Sequence, residues 1–231
     1  MFRLLFLILY LLFNLHSISQ VRISDAELLI QSQHVWRGVK LGTAPTIEPS
    51  IIFEAGRFSF NVWASATTNN SYSEVDLIPS YQFKHFSLTL LDYYNPVHGE
   101  SNQYMNFKKG KNRHSIDLNI DNYSIEKQRF KWMIGTFILG DRNEQTGNPY
   151  YSTYIEIKYP FSMLGINTEP FAGLTPIRGF YADKFAFVNT GISFSKDLDL
   201  KLPFSVPLSL SFISNPYTKQ SFVIFAGGIA F

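Results

Sequence analysis

The sequence predicts an all-β protein, a transmembrane antiparallel up-and-down β-barrel of about 12 strands. Three observations lead there. Apolar and polar residues alternate over most of the chain, the connections are short at one end and long at the other, and the last segment closes on the aromatic Phe231. Composition agrees: 22 Phe, 13 Tyr and 3 Trp coexist with a mean hydropathy of -0.02. So many rings average to near zero only when polar residues are interleaved with them, and a period of two is the strand signature.

Residues 1–19 read as a secretory signal peptide and 20–231 as the exported barrel domain. Arg3 precedes an apolar run from Leu4 to Phe13, and the small residues Ser17 and Ser19 place cleavage before Gln20. The run is roughly half the length a spanning helix needs. A formal charge of +2 lacks the basic excess of a nucleic-acid protein. The absence of cysteine excludes a disulfide framework, a thiolate metal site and a lipid-modified cysteine.

The alternation is clearest in four segments. In RFSFNVWAS, Phe58, Phe60, Val62 and Ala64 oppose Ser59, Asn61, Trp63 and Ser65. In HSIDLNID, Ile116, Leu118 and Ile120 oppose Ser115, Asp117, Asn119 and Asp121. Tyr151, Ile155, Ile157, Tyr159 and Phe161 oppose Ser152, Glu156 and Lys158, and in FSVPLSLSF the apolar residues oppose serines. Strands are expected at 26–40, 47–55, 57–66, 72–83, 85–94, 113–123, 128–139, 150–161, 166–177, 185–195, 203–213 and 219–231. Their length suits a tilted strand crossing a bilayer. Connections near Gly56, Lys84, Glu126, Gly165 and Asp197 are mostly tight, whereas those between them are polar and mostly longer. Short periplasmic turns facing longer external loops are the asymmetry of outer-membrane barrels.

A soluble sandwich would turn its apolar face inward. Here the polar face carries the charges and the apolar face carries large rings near strand ends: Trp36, Phe58, Phe83, Tyr151, Phe161 and Phe204. Aromatic girdles of this kind anchor a barrel at the headgroups. Glu27, Glu48, Glu54, Glu74 and Asp76 are expected inward, with Asp117, Asp121, Glu156 and Glu169. They face four inward bases, Arg37, Arg129, Lys131 and Lys158. The pore-lining candidates are Arg37, Glu48, Glu54, Glu74, Asp76, Glu156 and Lys158. Glu48, Glu54, Glu74 and Asp76 would line one wall with Arg37 as their basic partner, and unpaired acids would favour cations. Such charges also serve as lumen-filling ion pairs. The loop 95–112, with Lys108, Lys109 and Lys111, is expected to be solvated, with folding into the lumen or lying on lipopolysaccharide as the alternatives. In the last strand Phe225, Ile229 and Phe231 share a face and form the expected signal to the barrel-assembly machinery.

No catalytic constellation is present. His34 falls on the apolar phase of the first expected strand, His85 in a turn and His98 in the long loop. His114 and Ser115 are adjacent on a strand, so they point to opposite faces and cannot share a proton. No histidine pair has metal-ligand spacing, and neither an enzyme nor a bound cofactor or metal is expected.

The segments HVWRGVKLG, PTIEPSIIFEAGRFSFNVWAS, YSEVDLIPSY and LTLLDYYNP resemble the TorF-like porin family in the form common in Bacteroidetes. The matching features are Val35-Trp36-Arg37-Gly38, the strand holding Trp63, the strand holding Glu74 and Asp76, and the strand end Asp92-Tyr93-Tyr94. They cover about the first third of the mature chain. The resemblance implies a Gram-negative outer-membrane barrel with a pore and transfers no catalytic residue. Passive diffusion of small solutes is the leading expectation, with lipid and lipopolysaccharide as surroundings. A closed barrel that binds or scaffolds an envelope partner is the alternative, and oligomeric state is left open.

Overall fold

The computed structural model describes residues 20–108, 112–125, 128–141 and 146–231. The signal peptide expected at 1–19, Lys109 and Lys111 of the long loop, and Glu126 lie outside the described residues.

The described residues form fifteen strands: β1 (Arg22–Gln31), β2 (His34–Trp36), β3 (Val39–Leu41), β4 (Thr46–Ala55), β5 (Phe58–Thr67), β6 (Ser73–Gln82), β7 (Ser87–Tyr94), β8 (His114–Asp121), β9 (Lys131–Leu139), β10 (Thr153–Lys158), β11 (Phe161–Met163), β12 (Ile166–Thr175), β13 (Ala186–Leu198), β14 (Val206–Asn215) and β15 (Gln220–Ala230). Every pairing is antiparallel between chain neighbours, and β1 pairs with β15 from Glu27↔Ala230 to Gln31↔Ala226, which closes the ring. The sheet holds 13 strands, but β10 and β11 both pair with β12 and are one wall strand broken at Pro160. Proline has no N–H for the ladder, so the break falls there. The wall is therefore a 12-strand up-and-down barrel.

The barrel is inside out. Among the described residues 10 hydrophobic residues are buried against 19 polar or charged ones. Ile30, Ile138, Ile157, Phe187, Val223 and Phe225 stay exposed on the outer face. Water would penalise that surface and hydrocarbon would not, because closure pairs the backbone ladder all round. This is a membrane-type β-barrel.

Connections at 56–57, 83–86, 122–130, 164–165 and 199–205 share one end with Arg22, and we call it the turn end. The opposite, loop end carries 32–45, 68–72, 95–113, 140–152, 176–185 and 216–219. At Leu164-Gly165 both φ angles are positive, 54° and 74°, the backbone of a type I′ hairpin turn.

Eleven of the expected strands are present with small shifts of their ends. The first is not: β1 stops at Gln31, and residues expected to complete it form the separate β2–β3 hairpin, which pairs His34↔Leu41, Val35↔Lys40 and Trp36↔Val39. The reason lies at Arg37-Gly38, whose φ angles are 48° and 78°. Two consecutive residues in this conformation make the I′ turn that reverses the chain. The alternation of HVWRGVKL reads as one strand but belongs to two. Consequently His34 is buried rather than on an apolar outer phase, and Trp36 belongs to no outer girdle.

The described part of the long loop is mostly exposed, as expected, but its Tyr104 and Phe107 fold back over the outer face of β7 and β8. Tyr104 Oη donates to Asp92 at 3.3 Å, His114 Nδ1 lies 2.7 Å from Asp92 Oδ1, and its Nε2 lies 2.6 Å from the Tyr104 carbonyl. Phe107 stacks on His114 at 4.7 Å. His114 and Ser115 do point to opposite faces, the histidine under this loop and the serine inward.

Candidate functional site

The β2–β3 hairpin enters the lumen from the loop end and plugs it. Near its base, His34 Nδ1 sits 2.9 Å from Glu48 Oε1 on β4, and the imidazole packs against Trp63 at 5.4 Å and Tyr72 at 5.9 Å. Thr46 and Gln31 also donate to Glu48, at 2.7 and 2.6 Å. At the tip, Trp36 lies among the rings of Tyr93 (5.4 Å), Tyr181 (5.8 Å), Phe137 (6.1 Å) and Phe180 (6.2 Å). Edge and tilted ring pairs of this kind stabilise by about 0.5–1.5 kcal/mol each beyond the area they bury.

Arg37 is the pin. Its Nη1 is 2.7 Å from Asp117 Oδ2 on β8, and the two side chains are 7% and 0% exposed. Nη1 also donates to Tyr181 Oη at 2.6 Å, and Nη2 donates to Asn119 Oδ1 at 3.3 Å. The guanidinium lies 4.9 Å from the Tyr154 ring centroid, within cation–π range. Gly38 completes the lock from the other side. A Cβ there would sit 1.9 Å from the Val188 carbonyl oxygen of β13, and Asn215 at the end of β14 donates to the Gly38 carbonyl at 3.1 Å. Only glycine accepts both that approach and the positive φ. One turn of hairpin thus braces β8 and β9 against β13 and β14.

The pore-lining candidates separate into different places. Arg37 is not a strand residue and does not pair with Glu74 or Asp76, because the I′ turn aims it at Asp117. Glu54 bonds Arg22 at the turn end, at 2.9 Å, far from the other acids, so the four acids do not form one wall with Arg37. Glu48 is consumed by the hairpin base. Glu156 accepts from Tyr123 at 2.7 Å and from Asn189 at 3.1 Å, and Lys158 bridges it at 3.6 Å to Glu169 at 3.0 Å. Glu74 accepts from Tyr72 Oη at 2.6 Å and from Asn95 Nδ2 at 2.7 Å. Burial and then the Glu74 carboxylate push the Tyr72 phenol up, so it stays a donor. Asp76 is 4% exposed, and its Oδ1 has no hydrogen-bond partner among the described residues. Phe225, Ile229 and Phe231 share the outer face, where the Phe231 ring lies 5.9 Å from that of Phe204.

Above the plug, toward the loop end, lies a cavity of about 200 Å³ walled by Trp36, Tyr72, Tyr93, Phe137 and Phe180, with Glu74, Asn95 and Ser115 on its polar side. Sequence reasoning missed Tyr72, Tyr93, Asn95 and Phe180, which lie far apart in the chain. One local signal was present: Arg37-Gly38, a turn pair between the two short apolar runs of HVW and VKL.

No family model matches the sequence, and no curated protein matches it. One solved structure, described as "Unveiling the Mechanism Behind the in-meso Crystallization of Membrane Proteins", is similar over 91% of this chain and 83% of its own, with 7% identity and a TM-score of 0.49. Fold and lumen together define a class by their own geometry: a membrane-type β-barrel plugged by its first loop-end connection.

Proposed function

We propose that this chain is an outer-membrane barrel of the TorF-like porin kind, that its resting lumen is closed by the β2–β3 plug, and that it acts by binding at the cell surface rather than as a constantly open pore. The observation that carries the reading is the buried Arg37–Asp117 pair, which with Gly38 against Val188 pins the hairpin across the lumen. A passive pore has no use for a desolvated ion pair in its path, since desolvation costs several kcal/mol per ion unless the pairing is well made. Purified full-length protein in planar bilayers is expected to give no steady conductance steps. Continuous steps from the wild type would refute closure.

A second reading, a gated channel for small solutes, is supported by the charges on the turn side of the plug, Glu156, Lys158 and Glu169. It requires the hairpin to leave.

The surface location has its own test. The sequence contains no cysteine, so single substitutions label cleanly. His98→Cys, in the long loop, is expected to react with a membrane-impermeant maleimide on intact cells. Lys84→Cys, in a turn-end connection, is expected to react only after the envelope is permeabilised. The reverse pattern would place the loop end inward.

A further inference from the structure

The cavity above the plug has a one-sided chemistry. Its walls are five aromatic rings and Leu41, and its polar members are Glu74, Asn95 and Ser115. Among the described residues no basic side chain lines it. Among the described residues, His34 is committed to Glu48, Arg37 to Asp117, and Arg113 of the adjoining recess to Glu100.

The polar members offer acceptors. Tyr72 and Asn95 both donate to Glu74 Oε2, and no hydrogen bond to Oε1 is found among the described residues. Asn95 spends its amide NH₂ on Tyr72 Oη, the Ser73 carbonyl and Glu74, and no hydrogen bond to its carbonyl Oδ1 is found among the described residues. Near Glu74, on the same face of β6, the buried Asp76 adds a second carboxylate with no basic partner among the described residues. A recess of about 460 Å³ at the loop end shares Tyr72 and Asn95 with the cavity.

We infer that this cavity is a binding site for a small primary ammonium compound with an apolar or aromatic body. The ammonium has three donors and no acceptor, which complements Glu74 Oε1, Asn95 Oδ1 and the Ser115 hydroxyl. Its charge meets the faces of aromatic rings and a carboxylate in a partly desolvated place, where both attractions are strengthened. The apolar body fills the space between Trp36, Phe137 and Phe180. An anion would face the Glu74 and Asp76 carboxylates in a cavity that no basic side chain of the described residues lines. The inference rests on the closed-barrel reading, because Trp36 of the plug forms part of the wall.

The test is calorimetric titration of the folded full-length barrel in detergent, with empty micelles subtracted. The probes are 2-phenylethylamine, its neutral analogue 2-phenylethanol and the anion phenylacetate. The amine is expected to bind about tenfold or more tightly than the alcohol, as a single well-made charged contact supplies. Phenylacetate is expected to show no binding. Glu74→Gln is expected to bring the amine down to the level of the alcohol, with Ser115→Ala producing a smaller loss. Heat-modifiable migration on a gel reports whether each variant is folded. If Glu74→Gln does not fold, the three-probe ranking on the wild type decides by itself. Equal affinity for amine and alcohol, tighter binding of phenylacetate, or no binding of any probe would each overturn the site. Bilayer recordings on the same preparation separate the two ideas. Conductance with the ranking intact overturns closure and keeps the site, whereas a silent barrel without the ranking keeps closure and removes the site.

Discussion

Excising the plug is expected to turn a silent barrel into a conducting one. Gln31 of β1 and Thr46 of β4 already face each other in register, so residues 32–45 can be replaced by a two-residue Asn-Gly turn without moving the wall. A two-residue I′ loop is the natural closure for an antiparallel pair in that register. The excision removes Trp36 from the aromatic cluster and the Arg37 guanidinium from between Asp117 and Tyr181. It leaves the closing pairs of β1 with β15 untouched. A barrel of this size lies between the small, side-chain-filled ones and the wide porins with an aqueous channel, so what occupies its lumen decides whether it conducts. The excised protein is expected to show discrete steps in every bilayer insertion, with the wild type silent under the same conditions. Asp117 loses the cation it pairs with, Arg37, so the open variant is also expected to prefer cations, an effect that weakens as salt rises. An excised barrel that migrates as folded and still does not conduct would mean that the wall side chains alone fill the lumen.

The second large effect concerns stability. Arg37→Met is expected to cost about 3–5 kcal/mol, because it strands a carboxylate with no exposed surface in the lumen. Tyr181 and Asn119 lose a donor in the same step. Pairing the substitution with Asp117→Leu is expected to recover most of that loss, since two apolar residues of similar volume often replace a buried ion pair at little net cost. The measurement is urea unfolding from lipid vesicles for the wild type, both single variants and the double variant. The midpoint shifts then give a coupling energy, provided the denaturant slope is unchanged. Additive single effects would mean that Arg37 and Asp117 do not act as a pair. Unlike excision, Arg37→Met keeps Trp36 and Gly38 in the chain, so it separates the ionic pin from the apolar wedge.

The same residues show what could be read without the fold. Alternation such as Phe58-Ser59-Phe60-Asn61 placed the wall strands and their faces, because a strand must turn successive side chains to opposite sides whatever surrounds it. The excess of buried acids over buried bases was legible for the same reason. The connections told which end was tight, since turn residues such as Leu164-Gly165 act locally. Partners were not legible. Which acid met Arg37 depended on whether His34–Leu41 continued β1 or doubled back, and one turn at Arg37-Gly38 reversed the answer from Glu74 and Asp76 to Asp117. The cavity likewise draws Trp36, Tyr72, Tyr93, Phe137 and Phe180 from five separate stretches of chain, which only closure of the sheet brings together. By itself the sequence determined a closed, inside-out barrel, because period and turn chemistry are properties of neighbouring residues. The tertiary structure alone decided that the barrel is plugged, because a loop inside a lumen is held by contacts between residues that the chain keeps far apart.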